Sequence, residues 1–241
     1  MLIGCQTTSL GPLFDLGRWD ELLGVADEVI DRSSDAGGGY YSLLALPWKA
    51  QVLLRRGRAS EAAAASIELV RLAKRVRDAQ VLVPALVTSA LVSLHGGNPD
   101  EGMRTVADLE AISDVSIDWY REQCIADLVR ICVAAGDAAA AQRFLDAAGA
   151  FALRHRLGVL SARASLAEAT GATESAERMY EEAARGWQGY GHVLEMGLAL
   201  LGAGRCLTKL GRPEASDRLR GARDAFEALG APAFASETDA I

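Results

Sequence analysis

The sequence predicts an all-α protein, built as an α-solenoid of about six antiparallel helix pairs. Three observations lead to this prediction. Turn signals that contain glycine recur along the chain at nearly constant intervals. The apolar residues between these signals follow the helical period of about 3.6 residues. No convincing run shows the strict apolar–polar alternation that is typical of a half-buried strand.

The turn signals each predict the end of one helix and the start of the next. In Gly97-Asn98-Pro99, glycine allows the left-handed conformation that ends a helix, Asn98 caps the next one, and Pro99 suits its first position. Asp137 and Thr173 are similar cap candidates. The successive intervals between the turn glycines are 40, 40, 39, 35 and 40 residues. These glycines are Gly17, Gly57, Gly97, Gly136, Gly171 and Gly211.

The predicted domain organisation is a single helical-repeat domain over residues 1–241. Pro47 and Pro84 fall inside first helices, and we expect each to kink its helix or to mark its first turn. Pro12 predicts a short or displaced helix at the start of the chain. Residues 35–39 are expected to form a flexible connector. The predicted repeats are 1–34, 37–77, 79–114, 117–156, 157–190 and 192–229, followed by a capping tail at 231–241.

Small residues recur where the two helices of each repeat would meet. They are expected seven residues before and five residues after each turn glycine, and nine of these twelve positions hold Ala, Gly or Ser. Examples are Ala50 with Ala62, Ala90 with Gly102, and Gly204 with Ser216. In this pattern the chain resembles tetratricopeptide repeats. Its interval exceeds the family period of about 34, and so it resembles the longer repeats of bacterial signal-transduction ATPases, LuxR-type activators and some adenylate cyclases.

The resemblance implies a groove that is lined by the first helix of each pair and that binds a protein or a peptide. We therefore expect a non-catalytic interaction scaffold of a bacterial signalling protein. The alternative is a ligand-sensing segment of a larger ATPase-type regulator or cyclase, and the incomplete first repeat suggests a fragment. The family's inward positions, counted from each turn glycine, predict the groove residues Trp48, Gln51, Arg55, His95, Asp127, Arg130, Ser165, Arg205 and Lys209.

Charge leaves two interpretations of this groove open. Arg55, Arg130, Arg205 and Lys209 would make a partly basic lining that suits an acidic partner segment. Alternatively, these side chains pair with carboxylates of adjacent helices or face water. A basic cluster at Arg71, Lys74, Arg75 and Arg77 either docks to an acidic partner or to nucleic acid, or it is a solvated outer helix face whose basic charge is favoured by the helix dipole. We expect packing between helices for five aromatic residues, and the alternative is that they form a partner-binding hot spot. These residues are Trp19, Trp119, Trp187, Tyr180 and Tyr190.

Composition argues against several other classes of protein. The net charge is −7, with 25 basic and 32 acidic residues and no basic face, so we expect no direct binding of nucleic acid. No apolar run approaches the ~18–20 residues of a membrane span, and we expect a cytoplasmic protein. Four cysteines without a CxxC pair favour free thiols. The sequence shows no phosphate loop, HExxH or GxSxG motif, so we expect no catalytic residue, metal or cofactor.

Overall fold

A computed structural model of the chain describes residues 2–35, 39–76, 78–112, 117–149 and 152–241. These residues form helices and turns without a strand, which confirms the predicted all-α array of consecutive helices. The chain divides into two compact halves, which we call the N-terminal half (Met1–Tyr120) and the C-terminal half (Arg121–Ile241). Arg77 and most of the predicted connector at 35–39 lie outside the described residues.

The N-terminal half consists of three helical hairpins and the start of a further helix. Each of the first five helices packs on the next one along the chain, and the first helices of the three hairpins also contact one another in sequence. No packing of comparable extent joins the second helices of the hairpins among the described residues. The helices are α1 (Leu2–Asp15), α2 (Trp19–Asp35), α3 (Tyr40–Arg55), α4 (Ala59–Val76), α5 (Ala79–His95), α6 (Pro99–Glu110) and α7 (Ile117–Gln123).

The C-terminal half continues the same plan, with a turn at Cys124 that separates α7 from the next helix. Here α10 packs on both α8 and α12, so these first helices form one layer. We call α8, α10, α12 and α14 the first-helix layer. The helices are α8 (Ile125–Ala134), α9 (Ala138–Ala147), α10 (Leu153–Ala169), α11 (Thr173–Tyr190), α12 (Val193–Lys209), α13 (Ala215–Leu229) and α14 (Pro232–Asp239).

All six turn glycines have the left-handed conformation that the sequence predicts, with φ between 66° and 84°. At Gly57, the glycine N–H bonds to the carbonyl of Leu54 and the next N–H bonds to Leu53. The other five turns repeat this pair of hydrogen bonds, which defines the Schellman motif. The predicted helix ends are therefore confirmed, because they depend on a local conformation that glycine adopts without strain.

The predicted caps are confirmed in part. Asp137 caps α9 and accepts a hydrogen bond from the N–H of Ala140 at 2.8 Å. Pro99 occupies the start of α6, but the side chain of its cap residue, Asn98, makes no capping bond. Thr173 is wrong as a cap: the cap of α11 is Ala172, and Thr173 is the first helical residue.

The small residues pack where the sequence predicts in most repeats. Ala50 and Ala62 are fully buried, and a Cβ at Gly102 would lie 3.2 Å from the carbonyl oxygen of Ala90. The last repeat differs, because α13 begins at Ala215, two residues beyond Pro213, and its register is displaced. Ser216 is consequently exposed.

The prolines lie inside continuous helices, beyond the first turn. Pro47 is in the middle of α3, Pro84 is in the second turn of α5, and Pro12 is near the end of α1. The first-turn option for Pro47 and Pro84 is therefore wrong. The helix that contains Pro12 is continuous over 14 residues.

No described helix is long and apolar enough to cross a membrane.

The predicted aromatic packing holds for three of the five residues. Trp19, Trp187 and Tyr180 are buried, with 1%, 2% and 5% of their surface exposed. Trp119 and Tyr190 are exposed to 47% and 39%, and the ring of Tyr190 contacts that of Trp187 on its own helix, so packing between helices is not confirmed for these two. Their positions beside helix ends leave them at the surface.

Candidate functional site

Charged side chains connect the helices of the first-helix layer in the C-terminal half. They form two groups, one around Arg130 and one around Glu168, and we call them together the ionic network. Its members are Asp127, Arg130, Glu168, Tyr180, Glu195, Arg205, Lys209 and Glu237.

Arg130 links helices that lie on either side of α10. Its Nη1 atom donates to Oε1 of Glu195 on α12 at 2.9 Å, and Nη2 donates to Oε2 of the same carboxylate. Nη1 also donates to Oδ1 of Asp127, one turn earlier on α8, at 3.0 Å. The two parallel bonds are the geometry in which arginine holds a carboxylate most firmly. Glu195 is only 8% exposed, so Arg130 fixes a nearly buried charge.

Glu168 is the centre of the second group. Arg205 of α12 donates to both oxygens of Glu168, each at 2.8 Å, and its remaining Nη1 donates to Glu237 of α14 at 3.1 Å. The hydroxyl of Tyr180 donates to Oε2 of Glu168 at 2.9 Å. Nζ of Lys209 lies 3.6 Å from Oε1. The group thereby joins α10, α11, α12 and α14.

Pairing within the ionic network favours the charged forms of Arg130 and Glu168. Burial opposes the charged form of Arg130, but Glu195 and Asp127 outweigh it and raise the pKa of the guanidinium. Burial by itself would raise the pKa of Glu168, but Arg205 and Tyr180 lower it by a larger amount, so the net shift of this pKa is downward. Burial and Glu168 raise the pKa of Tyr180, whose hydroxyl therefore stays protonated. Arg130 and Arg205 act on the same tyrosine, so the two groups lie within electrostatic reach of each other.

The structure brings three of the predicted groove residues together in the N-terminal half. Trp48 packs on Phe14, with ring centroids 5.1 Å apart. Arg55 is buried, lies over the same ring at 5.7 Å, and donates to the carbonyl of Gln51 at 3.3 Å. The amide of Gln51 donates in turn to Thr88 at 3.3 Å. These side chains form a packed cluster of aromatic and polar groups.

The remaining predicted residues occupy separate places. His95 is exposed at the end of α5, where its Nδ1 lies 2.8 Å from the carbonyl oxygen of Leu91. Ser165 is partly buried on α10, three residues before Glu168 and therefore on the same helical face. Lys209 is 57% exposed beside Glu168.

Arg130 and Arg205 correspond to the second interpretation that the sequence left open. Both pair with carboxylates of neighbouring helices. The face that carries them is charge-balanced and not basic. In the basic cluster, Arg71 pairs with Glu68 and Lys74 with Asp108, while Arg77 lies outside the described residues.

Sequence reasoning predicted Asp127 but missed Glu168, Glu195 and Glu237 of the ionic network. Glu168 lies three residues after the inward position at Ser165, and Glu195 lies seven residues before Gly202, which is a further inward position nine residues before the turn glycine Gly211. Both spacings return to the same helical face. A search for carboxylates at these spacings from the inward positions would have found them. Tyr180 is on a second helix and carries no comparable signal.

A separate buried pair lies beside the break between α7 and α8. Glu122 and His155 are 6% and 2% exposed, and Nδ1 of the histidine lies 3.6 Å from Oε2 of the carboxylate. The other oxygen of Glu122 accepts the N–H of Gly149 at 2.9 Å. Burial lowers the pKa of His155, Glu122 opposes this shift, and Arg154 adds to it.

The thiols and metal-binding residue types form no further site in the described part of the chain. Burial raises the pKa of Cys124 to about 12 and that of Cys206 to about 11, so both stay protonated. None of the four cysteines forms a disulfide, and Cys5 is exposed. Among the residues that the structure describes, no group of three or more His, Cys, Asp or Glu side chains could hold a metal ion.

Comparisons with known proteins do not assign the chain to a family. No model of a known protein family matches it, and no curated protein matches it. The resemblance to tetratricopeptide repeats therefore stays a prediction.

Proposed function

We propose that the chain is a non-catalytic helical-repeat scaffold that binds a segment of a protein or peptide on its first-helix layer. The observation that carries this proposal is the ionic network, which holds partly exposed charges in fixed positions across several helices. The side chain of Arg130 is 23% exposed and that of Arg205 is 30% exposed, although both are fully paired. Fixed polar groups bind a partner without losing rotamer freedom.

Stability alone is a weak explanation for the ionic network. Charges that leave water incur a desolvation cost that their mutual attraction often only balances, and apolar side chains of similar size frequently do as well. A layer that served packing alone would hold apolar residues at these positions. The network therefore supports a role in recognition, in which pairing between helices also keeps the spacing of the first helices constant.

Because Arg130 and Arg205 are paired with carboxylates, the partner that we propose differs from the acidic segment that the sequence suggested. An acidic segment would have to compete with Glu168, Glu195 and Glu237, which already hold the two arginines. We propose a segment that is recognised through its main chain and neutral polar groups, with Lys209 available for one acidic residue. A role in bacterial signalling, in the cytoplasm, is part of the same proposal through the resemblance to long-repeat regulators.

A peptide-display selection against the full chain tests the proposal. We expect selected peptides to bind the wild-type chain, and to lose at least about tenfold in affinity for Ser165→Tyr, since the added ring projects from the face that carries Glu168. Glu182→Tyr, which places the same ring on an exposed position of α11, is the matched control and should bind as the wild type does. A selection that yields no binder, or binders that ignore Ser165→Tyr, would overturn the proposal.

A further inference from the structure

Three tyrosines and one aspartate lie near one another at one edge of the N-terminal half. Tyr40 and Tyr41 open α3, Asp78 caps α5, and Tyr120 is the fourth residue of α7. Tyr40 and Tyr41 are 36% and 40% exposed. We call these four residues the tyrosine edge.

The rings of the tyrosine edge stand at a defined angle. The centroids of Tyr40 and Tyr41 are 6.1 Å apart, and their planes are inclined by 77°. Two nearly perpendicular rings form two walls of a corner. Tyr41 extends towards α1, where a Cβ added at Gly4 would lie 3.8 Å from its hydroxyl oxygen.

Asp78 supplies a fixed negative charge beside these rings. One of its oxygens accepts the hydroxyl of Tyr40 at 2.9 Å, and the other accepts the N–H of Gln80 at 2.9 Å. Within the described residues Asp78 makes no ion pair, and no lysine or arginine lies over the ring of Tyr40 or Tyr41. Burial and Asp78, with smaller effects of Tyr120 and Tyr41, raise the pKa of Tyr40 to about 12.

We infer that the tyrosine edge binds the cationic side chain of a lysine or arginine from a partner protein. A cation over the face of a tyrosine ring is attracted by the ring quadrupole, and Asp78 adds a full charge of the opposite sign. The partial positive charge of the helix N-termini opposes this binding, but it amounts to about half a charge per helix. Asp78 caps one of these termini itself. The edge is thus complementary to a single cation and goes beyond the binding face proposed for the C-terminal half.

The test uses the full chain with ¹³C-labelled tyrosine rings, whose NMR signals are assigned with single Tyr→Phe variants. The probe is a capped heptapeptide, Gly-Ser-Gly-Arg-Gly-Ser-Gly, and its control has citrulline, a neutral analogue, in place of arginine. We expect the arginine peptide to shift the signals of Tyr40 and Tyr41 at millimolar concentration, less so as salt is raised. The citrulline peptide should shift them only weakly.

Variants separate recognition from folding. Tyr41→Ala and Asp78→Asn should each weaken binding by about two- to fivefold, as expected for the loss of one ring or one exposed charge. Asparagine still caps a helix, and Tyr41→Phe keeps the ring, so Tyr41→Phe should bind as the wild type does. Tyr190→Ala, which removes an exposed tyrosine of the C-terminal half, should also have no effect. Equal shifts with the citrulline peptide, or unchanged binding by Asp78→Asn, would overturn the inference.

Discussion

The pairing of Arg130 with Glu195 leads to a prediction about stability that depends on which partner is removed. Arg130→Met leaves Glu195 buried without a cation, because Arg130 provides its only ion pair among the described residues. Glu195→Gln leaves Arg130 with Asp127. We therefore expect Arg130→Met to lower the free energy of unfolding more than Glu195→Gln does.

The expected losses in the free energy of unfolding follow from how deeply Arg130 and Glu195 are buried. Loss of one partner from a fully buried pair costs about 3–5 kcal/mol. Glu195 is 8% exposed, but the side chain of Arg130 is 23% exposed, so solvent screens part of the interaction. We expect about 2–3 kcal/mol for Arg130→Met and about 1–2 kcal/mol for Glu195→Gln. The double variant should cost less than the sum by about 1–2 kcal/mol, since it leaves no isolated charge.

Urea denaturation followed by circular dichroism at 222 nm measures these differences. The slope m must be compared between variants, because repeat arrays can lose cooperativity. Glu227→Gln breaks an ion pair with Arg223 whose side chains are 46% and 54% exposed, and it should change stability by no more than about 0.5 kcal/mol. Additive single and double variants would refute the reasoning, as would equal effects at Glu195 and Glu227.

Two further predictions concern close packing and pH. Gly202→Ala should lower the free energy of unfolding by about 1–3 kcal/mol, because the new methyl would lie 2.4 Å from a ring carbon of Tyr180. Gly24→Ala, whose new methyl meets nothing within 4 Å, should instead raise the free energy of unfolding by up to about 1 kcal/mol. Urea midpoints that rank the two variants in the opposite order would contradict this expectation. Because burial lowers the pKa of His155 in the folded state, its contribution is present above about pH 6.5 and is lost as pH falls below that value. Urea midpoints between pH 7.5 and 5 should therefore fall less steeply in His155→Gln than in wild type, and an equally steep fall in both would contradict this expectation.

Helix boundaries could be predicted from the sequence because their causes are local. The Schellman turn at Gly57 needs only a residue that accepts positive φ and the carbonyls of the preceding turn. Burial of Ala50 and Ala62 follows from the same spacing. The prediction was wrong at Ser216, since a longer turn through Pro213 displaced the register of α13. Fixed offsets hold only where the turn length is constant.

Less of the candidate site than of the helix boundaries could be predicted from the sequence. Offsets from the turn glycines select Arg130 and Arg205, but such offsets describe one helix at a time. The partner of Arg130 is 65 residues away on α12, and the hydroxyl of Tyr180 reaches Glu168 from a second helix. Whether a predicted cation faces a partner or an internal carboxylate depends on the rotation of each helix about its axis.

The sequence by itself determined the helical hairpins, their turns and the small residues at which paired helices approach, because each depends on interactions between residues close in the chain. Only the tertiary structure decided that the arginines of the first-helix layer are neutralised from neighbouring helices and that three tyrosines lie near Asp78 at one edge. These arrangements result from packing distances and helix rotations summed over several repeats, in which a displacement of one residue turns a side chain by about 100°.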